Sequence, residues 1–177
     1  MKLDRFDRLL AALLVLTTLG LVALVARALP DKTTRIDSRS LERELSAQAR
    51  IALLDRLYAP VTAAMQAGQL QEALLKLEEI NVRYPGEAHG FVLKGELFNR
   101  LELFDKAAAS FVQGVKLNGD YIDKTGQITR RDLIEKLVAA QLPKAAAAYK
   151  SSSRSSAQKE HLANLNYLKS RLAGGCE

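Results

Sequence analysis

The sequence predicts an all-α protein: an N-terminal single transmembrane helix, then a short array of helical hairpins with C-terminal capping helices. Three observations carry this. Leu9 to Ala26 run for 18 positions without a charge. The stretch from Ala88 to Gly119 lands on the stretch before it when the chain is shifted by 34 residues. The composition, rich in Ala, Leu, Glu, Lys and Arg with only four Pro, favours helix. No alternating strand pattern bounded by hairpin turns breaks it.

Residues 1–29 form the lead and the anchor. Lys2, Arg5 and Arg8 precede the apolar run LLAALLVLTTLGLVALVA. At about 1.5 Å per residue the run spans some 27 Å, close to the hydrocarbon thickness of a bilayer. It shows no polar face, Thr17 and Thr18 can return their hydroxyl bonds to the backbone, and Gly20 is tolerated in a membrane helix. The rival reading is a cleavable signal, because Ala26-Arg27-Ala28 has the small-x-small form of a cleavage site; the mature chain would then begin at Leu29. The longer run and the Arg inside that site favour a retained signal-anchor. Basic residues flank both ends, so the positive-inside rule does not fix orientation. The short basic lead places the N-terminus in the cytoplasm, and the rest periplasmic or extracytoplasmic in a bacterium.

Residues 30–39 read as a linker. Pro30 and Asp31 stop the helix, and Thr33, Thr34, Asp37 and Ser38 favour turns. Ser40 then reads as an N-cap, with Glu42 and Glu44 in the first turn. Leu41, Leu45, Ala49, Ala52, Leu53 and Leu57 mark an amphipathic helix. It runs into the first repeat helix, with Pro60 kinking it or starting a new one, and would cover the open end of the array.

The helical domain occupies residues 40–150, with repeats at about 54–87 and 88–121. Under the 34-residue shift Val61 falls on Gly95, Leu70 on Phe104, Ala73 on Ala107, Leu77 on Phe111 and Pro85 on Gly119. Ala73 and Ala107 sit where two helices would cross, since only a small side chain allows that approach; Leu77 and Phe111, one turn on, fill the space beside them. Gly68-Gln69-Leu70 and Leu101-Glu102-Leu103 are the expected turns within each hairpin.

This pattern resembles the tetratricopeptide repeat family, whose period is about 34 residues. Phe91, Gly95, Phe98, Phe104, Ala107 and Phe111 carry the likeness in the second unit. Leu57, Val61, Ala64, Leu70, Ala73, Leu77 and Pro85 carry it in the first. The resemblance implies a binding scaffold whose groove is lined by the first helix of each repeat: Asp55, Tyr58, Thr62 and Met65, then His89, Val92, Glu96 and Asn99. Family members that grip a free carboxylate use Lys, Arg and Asn at these places. Asp55 and Glu96 point instead to a helix or an internal extended segment of another protein as the occupant.

Beyond Gly119 the echo fades. Asp123, Gly126, Ile128 and Asp132 resemble part of a calcium loop, but its first ligand would fall on Tyr121, so a plain turn with Thr129 capping the next helix is expected. Arg130 to Leu142 is a helix with Leu133, Ile134, Leu137, Val138 and Leu142 on one side. Pro143 interrupts it, and Lys144 to Lys150 adds an Ala-rich turn or two. Residues 151–156 form a Ser-rich flexible joint. Residues 157–177 carry a last helix, with Leu162, Leu165, Leu168 and Leu172 on one face, and a tail after Gly174-Gly175.

The net charge of +6 is segregated: residues 1–39 carry seven basic and four acidic residues, 40–123 nine and twelve, and 124–177 ten and four. The basic tail lacks aromatic interleaving and any nucleic-acid motif, so it reads as a solvated face and no nucleic acid is expected. The lone Cys176 cannot close an internal disulfide. No Cys or carboxylate stands at metal-ligand spacing from His89 or His161, and no phosphate loop is present. His89 is expected on the surface. The sequence therefore points to no catalytic residues, cofactor or metal and not to an enzyme. It points to a membrane-anchored adaptor for protein–protein interaction, a structural subunit of a membrane assembly, or a secreted repeat protein after signal cleavage.

Overall fold

The computed structural model describes residues 14–22, 24, 32–151 and 155–174, of which 32–39 by backbone only. Every regular element among them is helical: α1 (Lys32–Gln66), α2 (Leu70–Arg83), α3 (Ala88–Arg100), α4 (Phe104–Leu117), a 3-10 turn (Gly119–Ile122), α5 (Arg131–Ser151) and α6 (Ser156–Leu172), with residues 14–22 also helical. The chain divides into two compact units, Met1–Arg50 and Ile51–Glu177.

In the first unit, Thr17 Oγ1 donates to Leu14 O at 2.9 Å and Thr18 Oγ1 to Val15 O at 2.9 Å. Both hydroxyls are thus returned to the helix's own backbone, as the sequence led us to expect, while Leu14, Leu16, Leu19 and Leu21 stand exposed. Among the described residues no helix is long and apolar enough to cross a membrane. Most of the rest of the expected span, Leu9 to Ala26, lies outside them.

Two expectations about helix boundaries are corrected. Residues 32–39, read as a linker, already belong to α1, and Ser40 is an interior residue rather than an N-cap. Thr, Ser and Asp cost a helix only a few tenths of a kcal/mol each, too little to stop one that continues on both sides. Pro143 does not interrupt its helix either, and Pro60 neither ends nor restarts α1. An interior proline frees the carbonyl four residues back. Here Arg56 and Ala139, which own those carbonyls, are exposed like the prolines themselves, so water can take up the freed bonds. The stripe Leu41, Leu45 and Leu53 is exposed, and burial along α1 begins at Leu54. Residues 40–50 are exposed throughout.

In the second unit the 34-residue step is written into the backbone. α2 and α4 begin 34 residues apart, at Leu70 and Phe104, and end 34 apart, at Arg83 and Leu117. The turn bond Gln69 N→Ala64 O at 2.9 Å has its counterpart in Leu103 N→Phe98 O at 2.9 Å. Gly68 (φ +76°) is matched by Glu102 (φ +58°), so the second hairpin makes the left-handed step without glycine. Ala73 and Ala107 are both fully buried, as are Leu77 and Phe111.

The core is volume-matched across the repeat. Val61 and Leu77 pack in the first hairpin; Gly95 and Phe111 replace them in the second, the larger ring filling what the glycine gives up. A Cβ on Gly95 would lie 2.8 Å from Phe111 Cδ1. Gly114 is tighter still, with Val92 Cγ2 and the Ala88 and Val92 backbone against it. A second cluster joins α4, the 3-10 turn, α5 and α6 around Phe111, Tyr121, Ile134, Leu165 and Leu168.

The C-terminal hairpin enters nine residues late: one more 34-residue step from Ala88 reaches Ile122, whereas α5 starts at Arg131. Thr129 accepts from Arg131 N at 3.2 Å, the expected cap. α6 starts with a capping box between Ser155 and Gln158 and ends at Gly174, whose φ is +80°. It packs back against α4 and α5. Arg131 ties this hairpin down, donating to Ile122 O at 3.0 Å and to Leu172 O at 2.5 Å.

Gly95→Ala should cost about 1–3 kcal/mol through overpacking against Phe111, read as a lower urea midpoint at unchanged slope. Glu102→Gly should raise stability by roughly half a kcal/mol by relieving the left-handed strain, net of glycine's unfolded-state entropy.

Candidate binding groove

The face formed by α1 and α3, the first helix of each hairpin, carries the eight residues expected to line a groove. The structure separates them. Tyr58, Met65, His89 and Val92 are buried in the core; Thr62, Glu96 and Asn99 are half-buried; Asp55 is exposed. Tyr58, His89 and Val92 therefore do not line an open groove; Met65, though buried, reaches the floor of a pocket. Tyr58 and Met65 are buried in the cluster with Ala73, Leu77 and Leu93 and Val92 beside Gly114, while His89 is covered by the chain's own segment after α4. Its Tyr121 is 1% exposed.

His89 marks the contact. Its ring, expected on the surface, is 5% exposed. It lies between two tyrosines with its ring tilted to both, 4.9 Å from Tyr58 and 5.9 Å from Tyr121 between centroids, and its Nδ1 is 2.9 Å from the Tyr121 hydroxyl. Burial, aided by the Arg130 charge, pushes His89 down to about 4, against the pull of Asp55 and Glu87. Burial also pushes Tyr58 up to about 12, with Glu87 adding to it. The Tyr58 hydroxyl is buried without a hydrogen-bond partner. Gly90 lies against it: a Cβ there would come within 3.0 Å of that oxygen. His161 sits half-buried on α6, where burial lowers it against the opposing pull of Asp105.

What stays open on this face is a polar pocket of about 170 Å³ between the C-terminal half of α1 and the middle of α3. Thr62, Gln66, Glu96, Arg100 and Arg130 supply its polar groups, and Met65 and Leu93 its floor. Glu96 holds one guanidinium on each carboxylate oxygen, Arg100 at 3.6 Å and Arg130 at 3.6 Å. Arg100 also donates to Met65 O at 3.1 Å. Two cations about one carboxylate leave the pocket with a net positive charge, and Thr62 and Gln66 add neutral polar groups. Such a pocket suits a polar or anionic side chain presented by a partner.

Of the expected residues, Thr62, Met65 and Glu96 meet here. Gln66, Arg100 and Arg130 were missed. Gln66 and Arg100 end the two first helices, so the register extended by one residue finds them. Arg130 has no such signal, because it arrives from outside the repeat. Among the described residues, no three His, Cys, Asp or Glu gather as metal ligands. No family model, curated protein or solved structure matches the chain.

The His89 shift has a pH signature. The unfolded chain takes up a proton near pH 6.5 while the folded chain resists until about 4. Stability should therefore fall as the pH drops through that window, by about 3 kcal/mol in full. Urea unfolding at pH 7 and at pH 4.5 checks this: the gap should shrink in His89→Gln. Tyr58→Phe, which removes an unpaired buried hydroxyl, should leave stability unchanged or raise it by up to about 1 kcal/mol, readable as a thermal midpoint.

Proposed function

We propose that the chain is a membrane-anchored helical-repeat adaptor that holds a protein-binding surface close to a bilayer. The observation that carries the binding half is the open pocket of Thr62, Gln66, Glu96, Arg100 and Arg130, set on the face of α1 and α3. Thr62, Gln66, Glu96 and Arg100 stand on packed helices, and Arg130 joins them from the loop before α5; a site built mostly on helices is held precisely. The 34-residue echo, with its resemblance to the tetratricopeptide repeat family, supports the same reading, since such arrays serve as binding scaffolds. The occupant is a helix or internal segment of another protein, with a polar or anionic side chain in the pocket and apolar contacts around it.

The anchor half rests on the uncharged run from Leu9 to Ala26 and on the self-satisfied hydroxyls of Thr17 and Thr18. A bilayer core demands that such groups be satisfied within the helix. Tethering confines the module to two dimensions and raises its effective concentration towards membrane partners. A second reading, a structural subunit of a membrane assembly, is favoured by Ala11, Ala12, Gly20 and Ala23, whose small side chains permit close helix contact.

Carbonate washing of membranes should leave the full-length chain in the pellet, with an intact mass that starts at Met1. Release into the supernatant, or a mass starting at Leu29, would remove the anchor. Gln66→Trp, at an exposed position on the pocket's mouth, should abolish co-purification of the partner without shifting the thermal midpoint. Retained co-purification would move the binding surface elsewhere; loss of the subunit reading would follow from a lone monomer in mild detergent.

A further inference from the structure

The C-terminal hairpin carries a second recessed surface, on a different pair of helices from the groove. A trough of about 430 Å³ opens between α5 and α6, lined by Val138, Ala139, Leu142, Pro143, Leu172 and Ala173, with Arg131, Glu135 and Lys169 at its edges. Val138 is buried at its floor, Leu142 and Leu172 are half-buried walls, and Ala139, Pro143 and Ala173 are exposed. A neighbouring cavity of about 310 Å³ continues it past Arg131, Leu172 and Ala173 towards Lys124, Asp123 and Arg171.

Shape and charge together say what fits. The α5 residues that line the trough run from Arg131 to Pro143. Its apolar part runs from Val138 to Pro143, roughly 7 Å at about 1.5 Å per residue, or somewhat more than one helical turn, and Arg131 and Glu135 continue it as a charged edge. A recessed apolar floor between two helices, edged by charge, takes the side chains of one helical turn; a flat bilayer surface does not reach Val138. The rim carries Lys124, Arg131, Lys169 and Arg171 against Asp123 and Glu135. Arg131's two acceptors, Ile122 O and Leu172 O, are neutral carbonyls, so they leave its charge in place. The whole stretch 124–177 has ten basic and four acidic residues, opposite in sign to 40–123.

We infer that this trough docks an acidic amphipathic helix of a partner protein, laid along α5. Its apolar ridge rests on Val138, Leu142 and Leu172, and its carboxylates face Lys124, Arg131 and Lys169. The inference is independent of the pocket on α1 and α3: it uses other helices, and its loss leaves that pocket untouched.

The test uses the full chain in neutral detergent and a fluorescent 18-residue helical peptide with Leu on one stripe and Glu elsewhere. A second peptide carries Lys in place of Glu. The Glu peptide should bind saturably, and about tenfold more tightly than the Lys peptide, a difference of about 1.4 kcal/mol. Ala139→Glu, which places a carboxylate in the trough from an exposed site, and Lys169→Glu should each weaken it about tenfold, while Gln66→Trp should not. Added salt should weaken it further. Equal binding of the two peptides, indifference to Ala139→Glu, or absence of saturation would overturn the proposal. So would displacement of the peptide by short-chain phosphatidylglycerol, which would reassign the trough to an anionic lipid. Self-association that Ala139→Glu abolishes would reassign it to a second copy.

Discussion

The close approach of α3 to α4 is the constraint on which the second unit depends. Gly95 and Gly114 remove side chains where Phe111 and Val92 must enter, so two helices pack at a distance that no larger residue permits. That contact aligns α3 with α4 and α4 with the hairpin behind it. Phe111 belongs to the same buried cluster as Tyr121, Ile134 and Leu165. The position of Tyr121 in turn decides that His89 is dry. A single crossing thus reaches from the repeat to the face formed by α1 and α3.

Helix content and the repeat were legible because both rest on local periodicity. Ala73, Ala107, Leu77 and Phe111 could be placed at a crossing from size and spacing alone, and they are buried there. The α6 boundaries were equally readable, from Leu spacing and the glycine that ends it. What sequence reading missed has two physical sources. Pro60, Pro143 and the turn-prone residues before Ser40 carry modest or solvent-compensated penalties, which a long helix absorbs. Tyr121 and Arg130 act at long range, from an insertion with no periodic signal of its own. That is why His89, a sound groove position by register, became core.

The groove that results is shorter than two hairpins would offer. Its apolar part is used internally, where the His89 ring packs at a tilt against Tyr58 and Tyr121. Its polar part, around Glu96 and two arginines, stays open. The same chain therefore keeps a buried aromatic contact and an open polar pocket on adjacent turns of the same two helices. Lys94, paired with Glu78 at 2.5 Å, braces α3 against α2 on the far side of that division.

Arg131 has a mechanical meaning. Its guanidinium joins Ile122 O to Leu172 O, closing the 3-10 turn, the start of α5 and the last turn of α6 into one knot. Fraying of α6 from its last turn must break the bond from Arg131 to Leu172 O before that turn leaves the hairpin.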